Sequence, residues 1–247
     1  MISSIDHIVI LVKELAVAVQ DYTALGFTVI PGGAHTDAGT HNALVAFADG
    51  TYLELIAFQR PDPVHRWWKY TTTGSGEGII DFALLPDAIA QDIAAIRQRG
   101  LSMEGPYPSG RLRPDGQEIK WQIGTPPSPD LPFLCADVTP RPLRVPSGPA
   151  WQHPNGVIGI ANLSVVVAEL APSKQHYQAL LGLEPQLNTA IFPVGNATIS
   201  LISAAPGTPQ AERLHQRGEG PFSLTLRTAH PGHFDPTLTH STQLELE

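Results

Sequence analysis

The chain has 247 residues, 42% of them hydrophobic, which is enough for a buried core in one or two domains. Its formal charge is −8, from 15 Lys and Arg against 23 Asp and Glu, and no basic block offers phosphates a counterion-releasing surface, so nucleic acid is excluded as an expected partner. The lone Cys135 excludes an internal disulfide framework and a cysteine-cluster zinc site, and no apolar run approaches the roughly 18–20 residues that span a bilayer.

The N-terminus, MISSIDHIVILVKEL, carries neither the basic n-region nor the small-residue cleavage site of a signal peptide, so a cytoplasmic location without a membrane partner is expected. Residues 5–12 are β-branched and apolar, a strand interrupted by His7. Residues 14–25 place Leu15, Val19, Tyr22 and Leu25 at helical spacing, with Gly26 positioned to cap the end. FTVIP, HNALVAF and TYLELIAF follow as strands, with Asp49-Gly50 read as a two-residue hairpin turn and Glu54 interrupting the last strand. VHRWWKY, containing Trp67 and Trp68, reads as a helix or flap over this unit.

Residues 79–137 repeat the order: IIDFALL, then the helix DAIAQDIAAIRQRG, then strands around GRLR, EIKWQIG and LPFLCAD. The proline-rich stretch 138–156 reads as a stiff linker, and His153 in WQHPNG as part of a turn within it. A third unit covers 157–204, and a truncated fourth covers 218–247, a first strand and a proline-broken tail ending in LELE. The repetition is visible in the residues themselves. VKELAVAVQDYTALGF (12–27) and VAELAPSKQHYQALLGL (167–183) share Val, Glu, Leu, Ala, Gln, Tyr, Ala and Leu in matching order.

The βαβββ repeat, opened by IDHIVI and closed by GTYLELIAF, resembles the vicinal oxygen chelate superfamily, which includes glyoxalase I, extradiol dioxygenases, and fosfomycin- and bleomycin-resistance proteins. GTHNALVAF, RPDG followed by a tryptophan strand, LPFL and HPNG together resemble its glyoxalase-like branch, and the resemblance covers residues 4–204. It implies an α+β fold of repeated βαβββ units paired into two lobes, each a cupped mixed sheet with helices outside. The first lobe is then 1–137 (units 1–60 and 77–137) and the second, degenerate one is 157–247. It also implies that the first and fourth strands of a unit are neighbours, and that the superfamily's metal-binding histidine and glutamate fall on His7 and Glu54.

The residues agree with that implication, because a carboxylate inside YLELIAF is costly to bury unless it faces a cavity, is paired or binds metal. The plainer alternative is a solvated glutamate and a histidine bonded to backbone. The superfamily draws its remaining ligands from the paired unit, which here offers only Asp81 on its first strand and Cys135 on its fourth. Neither matches a ligand of the family's pattern. If a divalent metal is bound, His7 and Glu54 are expected to hold it and to be catalytic, with Asp81 as the candidate further ligand and substrate oxygens completing the shell. Zn, Mn, Ni or Fe are equally suited to such ligands. In the third unit Asn162 stands where His7 stands, and Ser200 or Ile199 where Glu54 stands, so that half is read as structural or dimer-forming.

With a two-residue turn, Val45 pairs with Glu54 and His41 shares their face, about 13 Å further along the strand. His41 and Asn42 are thus read as the pocket lip, or equally as loop caps. Val9, Val45, Tyr52 and Ile56 are expected to line the pocket. Trp121 suits either its aromatic wall or the core, and Arg113 in RPDG either a substrate anion or plain turn chemistry. The function expected is a glyoxalase-like protein acting on or binding a small organic molecule in the first lobe. Divalent-metal Lewis-acid catalysis of lyase, isomerase or dioxygenase type would serve it. The alternative is metal-free binding or sequestration, and a homodimer is compatible with either.

Overall fold

The strand-forming stretches of the first two units close on one another in the computed structural model, which describes residues 1–36, 39–187, 189–230 and 232–247. The first unit runs β1 (Ile2–Leu11), α1 (Leu15–Ala24), β2 (Ile30–His35), β3 (Thr40–Ala46) and β4 (Tyr52–Phe58). The second runs β5 (Gly78–Pro86), α2 (Ile89–Gln98), β6 (Glu104–Leu112), β7 (Glu118–Thr125) and β8 (Phe133–Asp137). Their eight strands form a closed barrel in the order β1-β4-β3-β2-β6-β7-β8-β5. First and fourth strands are indeed neighbours: β1 lies parallel to β4 and β5 parallel to β8, while β1 and β5 join the units antiparallel.

A short helix, α3 (Arg141–Arg144), sits in the proline-rich connection. Beyond it come β9 (Val157–Val167), α4 (Leu170–Leu181), β10 (Ile191–Val194), β11 (Ala197–Ser203), α5 (Pro209–Arg217), β12 (Gly220–Thr228) and β13 (Gln243–Leu246). These strands make an open sheet, β10-β11-β9-β12-β13. The parallel pairs β9/β11 and β12/β13 repeat the β1/β4 relation, so the terminal QLEL takes the fourth-strand place of the shortened last unit. Burial does not reveal α5, because none of its residues is buried, but its start is marked by Pro209 in the first turn and by the Thr208 hydroxyl accepting from Ala211 N–H.

Strand alternation sorts the apolar side chains into two sets. Outward-facing Ile8, Ile10, Leu53, Leu55 and Phe82 pack with Tyr22 of α1, Ile93 and Ile96 of α2, and Leu163, Phe192 and Leu224 of the second sheet in one continuous core. Inward-facing Val9, Ile56, Ile119, Trp121 and Phe133 form a separate cluster inside the barrel. Each fully buried side chain of this kind stabilises the fold by roughly 1.5–3 kcal/mol. The lobes are also tied by Arg99, whose Nε and Nη2 donate to Ala179 O at 2.5 Å and Leu180 O at 3.0 Å, carbonyls that the end of α4 leaves unsatisfied.

Two local departures from regular pairing position the site. The β3–β4 hairpin is closed by Phe47 N–H donating to Thr51 O at 2.9 Å, with Gly50 at φ 85°, so its loop has one residue more than the Asp49-Gly50 turn read from sequence. Leu44, not Val45, is therefore opposite Glu54. A one-residue change of register turns every side chain to the other face. Val45 joins the outer core, and Asn42 rather than His41 shares the face of Glu54. In β1, Ile5 pairs with Leu84 and His7 with Ala83, which leaves Asp6 as the extra residue of a bulge.

Candidate functional site

The barrel encloses a cavity of about 260 Å³, lined at one end by His7, His35 and Glu54 and walled by Tyr52, Trp67, Trp121 and Phe133. His7 and Glu54, 4% and 5% exposed, come from the adjacent strands β1 and β4. His7 Nε2 lies 3.3 Å from Glu54 Oε2. The Tyr52 ring stacks on His7 with centroids 4.6 Å apart, and Phe133 meets it edge-on at 5.4 Å, so the imidazole is clamped in one plane. Its Nδ1–H donates to Asp6 Oδ2 at 2.6 Å, which turns Nε2 toward Glu54 and the cavity.

Asp6 is held in turn. Arg144 donates to it from Nη1 and Nη2 at 2.7 and 3.0 Å, and Arg141 from Nη1 at 2.6 Å. Arg144 also donates to the Tyr52 hydroxyl at 2.8 Å and, through Nε, to Asp137 at 2.5 Å. At its other oxygen, Glu54 Oε1 accepts from Asn42 Nδ2 at 2.6 Å and lies 3.5 Å from His35 Nε2. The result is a buried chain, Arg144–Asp6–His7–Glu54, ending on two donors at the far carboxylate oxygen.

Burial alone would push every member toward its neutral form, and the partners outweigh it. Against that burial, the Arg144 charge and the His7 hydrogen bond hold Asp6 well below the usual carboxylate range. Glu54, despite burial, is held down to about 2 by the His7 hydrogen bond, the charges of His7 and His35, and Asn42. Burial works to lower His7, but hydrogen bonds to Asp6 and Glu54 raise it above its ordinary value. The two carboxylates on either side of the imidazole thus favour its charged form.

Of the residues read from sequence, the structure brings His7, Glu54, Tyr52 and Trp121 together around the cavity, with Asn42 behind Glu54. His41 does not join them; it pairs with Ala57 on the opposite face of β3, as the register requires. Arg113 is drawn away by Asp115, 3.0 Å distant at the β6–β7 turn. Asp81 also lies elsewhere. It pairs with Arg66, accepts the Trp67 indole N–H at 2.7 Å, and lines a neighbouring cleft with Tyr70 and Ser128. The β5 residue facing His7 is Ala83. The β5–β8 register then sets Phe133 where Tyr52 stands and, two residues on, Cys135 where Glu54 stands.

Asp6, His35, Arg111, Arg141 and Arg144 were not found from the sequence. Asp6 needed the bulge. His35 follows a Gly-Gly pair that reads as loop but continues β2, and the two arginines flanking Pro142-Leu143 are the one signal in the linker that could have drawn attention. Gly32 is a requirement of the site, because a Cβ there would lie 2.0 Å from Asn42 Oδ1. Gly32→Ala is expected to displace Asn42 and free Glu54 Oε1, lowering affinity for any cavity ligand about tenfold, the worth of one charge-assisted hydrogen bond. Isothermal titration against wild type checks this.

Among the described residues, the trio of His, Cys and acid side chains close enough to share an ion is Asp6, His7 and Cys135. In this trio Asp6 is already engaged by His7 Nδ1 and two arginines. The donors facing the cavity suit a divalent cation better. The 3.3 Å between His7 Nε2 and Glu54 Oε2 suits two ligands each about 2.1 Å from one ion. Asp6 is the outer partner that a ligating histidine ordinarily has, and His35 brings a second imidazole to the same carboxylate.

A closed barrel of two βαβββ units, with a histidine on the first strand and a glutamate on the fourth, is the architecture of the vicinal oxygen chelate superfamily. The chain belongs to the family described as a glyoxalase-like domain, which it matches over residues 5–181. A hypothetical protein from Staphylococcus aureus has a similar structure, with a TM-score of 0.72 and 14% identity over 98% of this chain and 99% of that one. A triple mutant of 4-hydroxymandelate synthase from Streptomyces coelicolor is similar at a TM-score of 0.63 and 14% identity, over 93% of this chain and 72% of that one. Methylmalonyl-CoA epimerase from Streptomyces coelicolor is 25% identical over 56% of this chain and all of its own, with a TM-score of 0.42. No curated protein sequence matches the chain.

Proposed function

We propose that the first lobe is an enzyme site for a small organic molecule, with His7 and Glu54 as the residues that hold a divalent cation and His35 beside them. The observation that carries this reading is the convergence of two imidazoles on one buried carboxylate, at 3.3 and 3.5 Å, in the barrel cavity. When bound, the cation supplies Lewis-acid stabilisation of oxyanionic charge on the substrate. The chain itself does the rest. Asp6 fixes the His7 tautomer, Tyr52 and Phe133 its ring plane, and Asn42 the Glu54 carboxylate.

Elemental analysis of protein purified without chelator tests the reading. One equivalent of zinc, manganese, nickel or iron is expected, lost in His7→Ala and in Glu54→Gln and retained in Asn162→Ala. Asn162 lies on β9 of the second sheet, where its Oδ1 accepts from Thr198 and Ser200 and no carboxylate or histidine joins it among the described residues. Equal loss in all three variants would place the cation in the wrong lobe. A second reading, a metal-free binder, is favoured by Ala83 and Cys135 standing where the paired unit would supply ligands. Metal-free protein that still binds a small molecule in the cavity would establish it.

A further inference from the structure

Arg111 lies on β6 with its side chain in the cavity wall, 3% exposed. Its Nη2 donates to Arg144 O at 2.7 Å, whereas its Nε is buried without a hydrogen-bond partner. The other cations nearby are matched: Arg141 and Arg144 by Asp6 and Asp137, and Arg66 at the edge of the cavity by Asp81. Glu54 is occupied by His7, His35 and Asn42. Among the described residues no carboxylate pairs with Arg111. The Glu54 charge acts on Arg111 only through space, and a buried cation without a directly bonded counter-charge is costly; burial holds its pKa below the usual arginine value.

The surroundings of this guanidinium are specific. Arg111 pairs with Ile119 and Ser109 with Trp121 across β6 and β7, so cation, hydroxyl and indole share one inner face. Phe133 and Trp67 complete an aromatic slot beside it. We propose that the cavity takes a small organic carboxylate, its carboxylate group on Arg111 and its planar or apolar body between Trp121, Phe133 and Trp67. The fork of guanidinium donors matches the two oxygens of such a group, and the ligand supplies the bonded carboxylate that Arg111 lacks among the described residues. The inference rests on the reading of the cavity as a small-molecule site, and it adds the chemical class of what enters.

Matched pairs of probes test it: benzoate against benzamide, and phenylacetate against phenylacetamide. Each is titrated into the protein by calorimetry and by the ring resonances of His7, with and without chelator treatment. In wild type the acid of each pair is expected to bind at least about tenfold tighter than its amide, the difference a charge-assisted hydrogen bond makes. Arg111→Gln should bring that ratio toward one in chelator-treated protein, and Arg111→Lys should keep part of it. Equal binding of acid and amide in wild type overturns the inference while leaving the cavity reading intact. A preference that survives Arg111→Gln overturns it too. If no member of either pair moves His7 or releases heat, both readings fall. Should Arg111→Gln fail to fold, the lysine variant and the wild-type ratio decide the matter, since an unchanged ratio in Arg111→Lys would assign the preference elsewhere.

Discussion

Replacing Arg144 with alanine is expected to destabilise the protein by about 3–5 kcal/mol, the range for removing one partner of a buried ion pair. Arg144 is 1% exposed and its guanidinium serves Asp6, Asp137 and Tyr52 together, while its carbonyl accepts from Arg111. Without it, Asp6, 0% exposed, keeps only Arg141 and His7 as partners. The carboxylate must then remain charged in a dry place or take up a proton. For a chain of this size the loss corresponds to a fall in Tm on the order of 10 °C. Arg144→Lys should recover part of it, since one ammonium cannot reproduce the fork that meets both Asp6 oxygens. Urea unfolding followed by tryptophan fluorescence measures both variants. A loss below about 1 kcal/mol in the alanine variant would mean that water reaches Asp6.

The second large effect is expected from Glu54→Gln, which preserves shape and removes charge. In metal-free protein the pair His7–Glu54 carries opposite linkages. Glu54 is held down to about 2 from an ordinary value of 4.5, so its contribution is present above 4.5 and is lost as pH falls toward 2. His7 is raised above 6.5, so its contribution is complete below 6.5 and is lost as pH rises through the folded-state value. The two overlap between about 4.5 and 6.5, where wild type should exceed the variant by up to roughly 3 kcal/mol, a shared term that must not be counted once per partner. His7 should titrate at lower pH in the variant. A stability difference that does not change with pH, or an unmoved histidine titration, would show that the two groups do not communicate.

The fold was legible because it is repetitive: the Val-Glu-Leu, Gln-Tyr and Ala-Leu spacings of units one and three mark the same strand and helix, and apolar alternation marks the strands around them. The site was half legible for a related reason. His7 and Glu54 interrupt apolar strands, and a titratable group in such a place needs a partner. What could not be read depended on single-residue offsets. An extra loop residue exchanged Asn42 for His41, and a bulge turned Asp6 inward beside His7. Composition hid the rest. The Gly-Gly before His35 and the prolines around Arg144 are turn formers, and propensity gives no hint that a chain segment rich in them closes on a buried carboxylate.

Arg141 and Arg144 lie beyond the last barrel strand, yet they neutralise a charge on the first, 138 residues earlier in the case of Arg144 and Asp6. Strand count and portability are therefore different things here. A version of the first lobe cut after Asp137 would hold all eight strands and none of the arginines that balance Asp6. Val145, 4% exposed and packed with Leu44 and Tyr52, belongs to the same plug. Anyone grafting this cavity into another scaffold, or expressing it alone, has to carry the chain through Val145, because the stretch that looks like a tether is the stopper of the barrel.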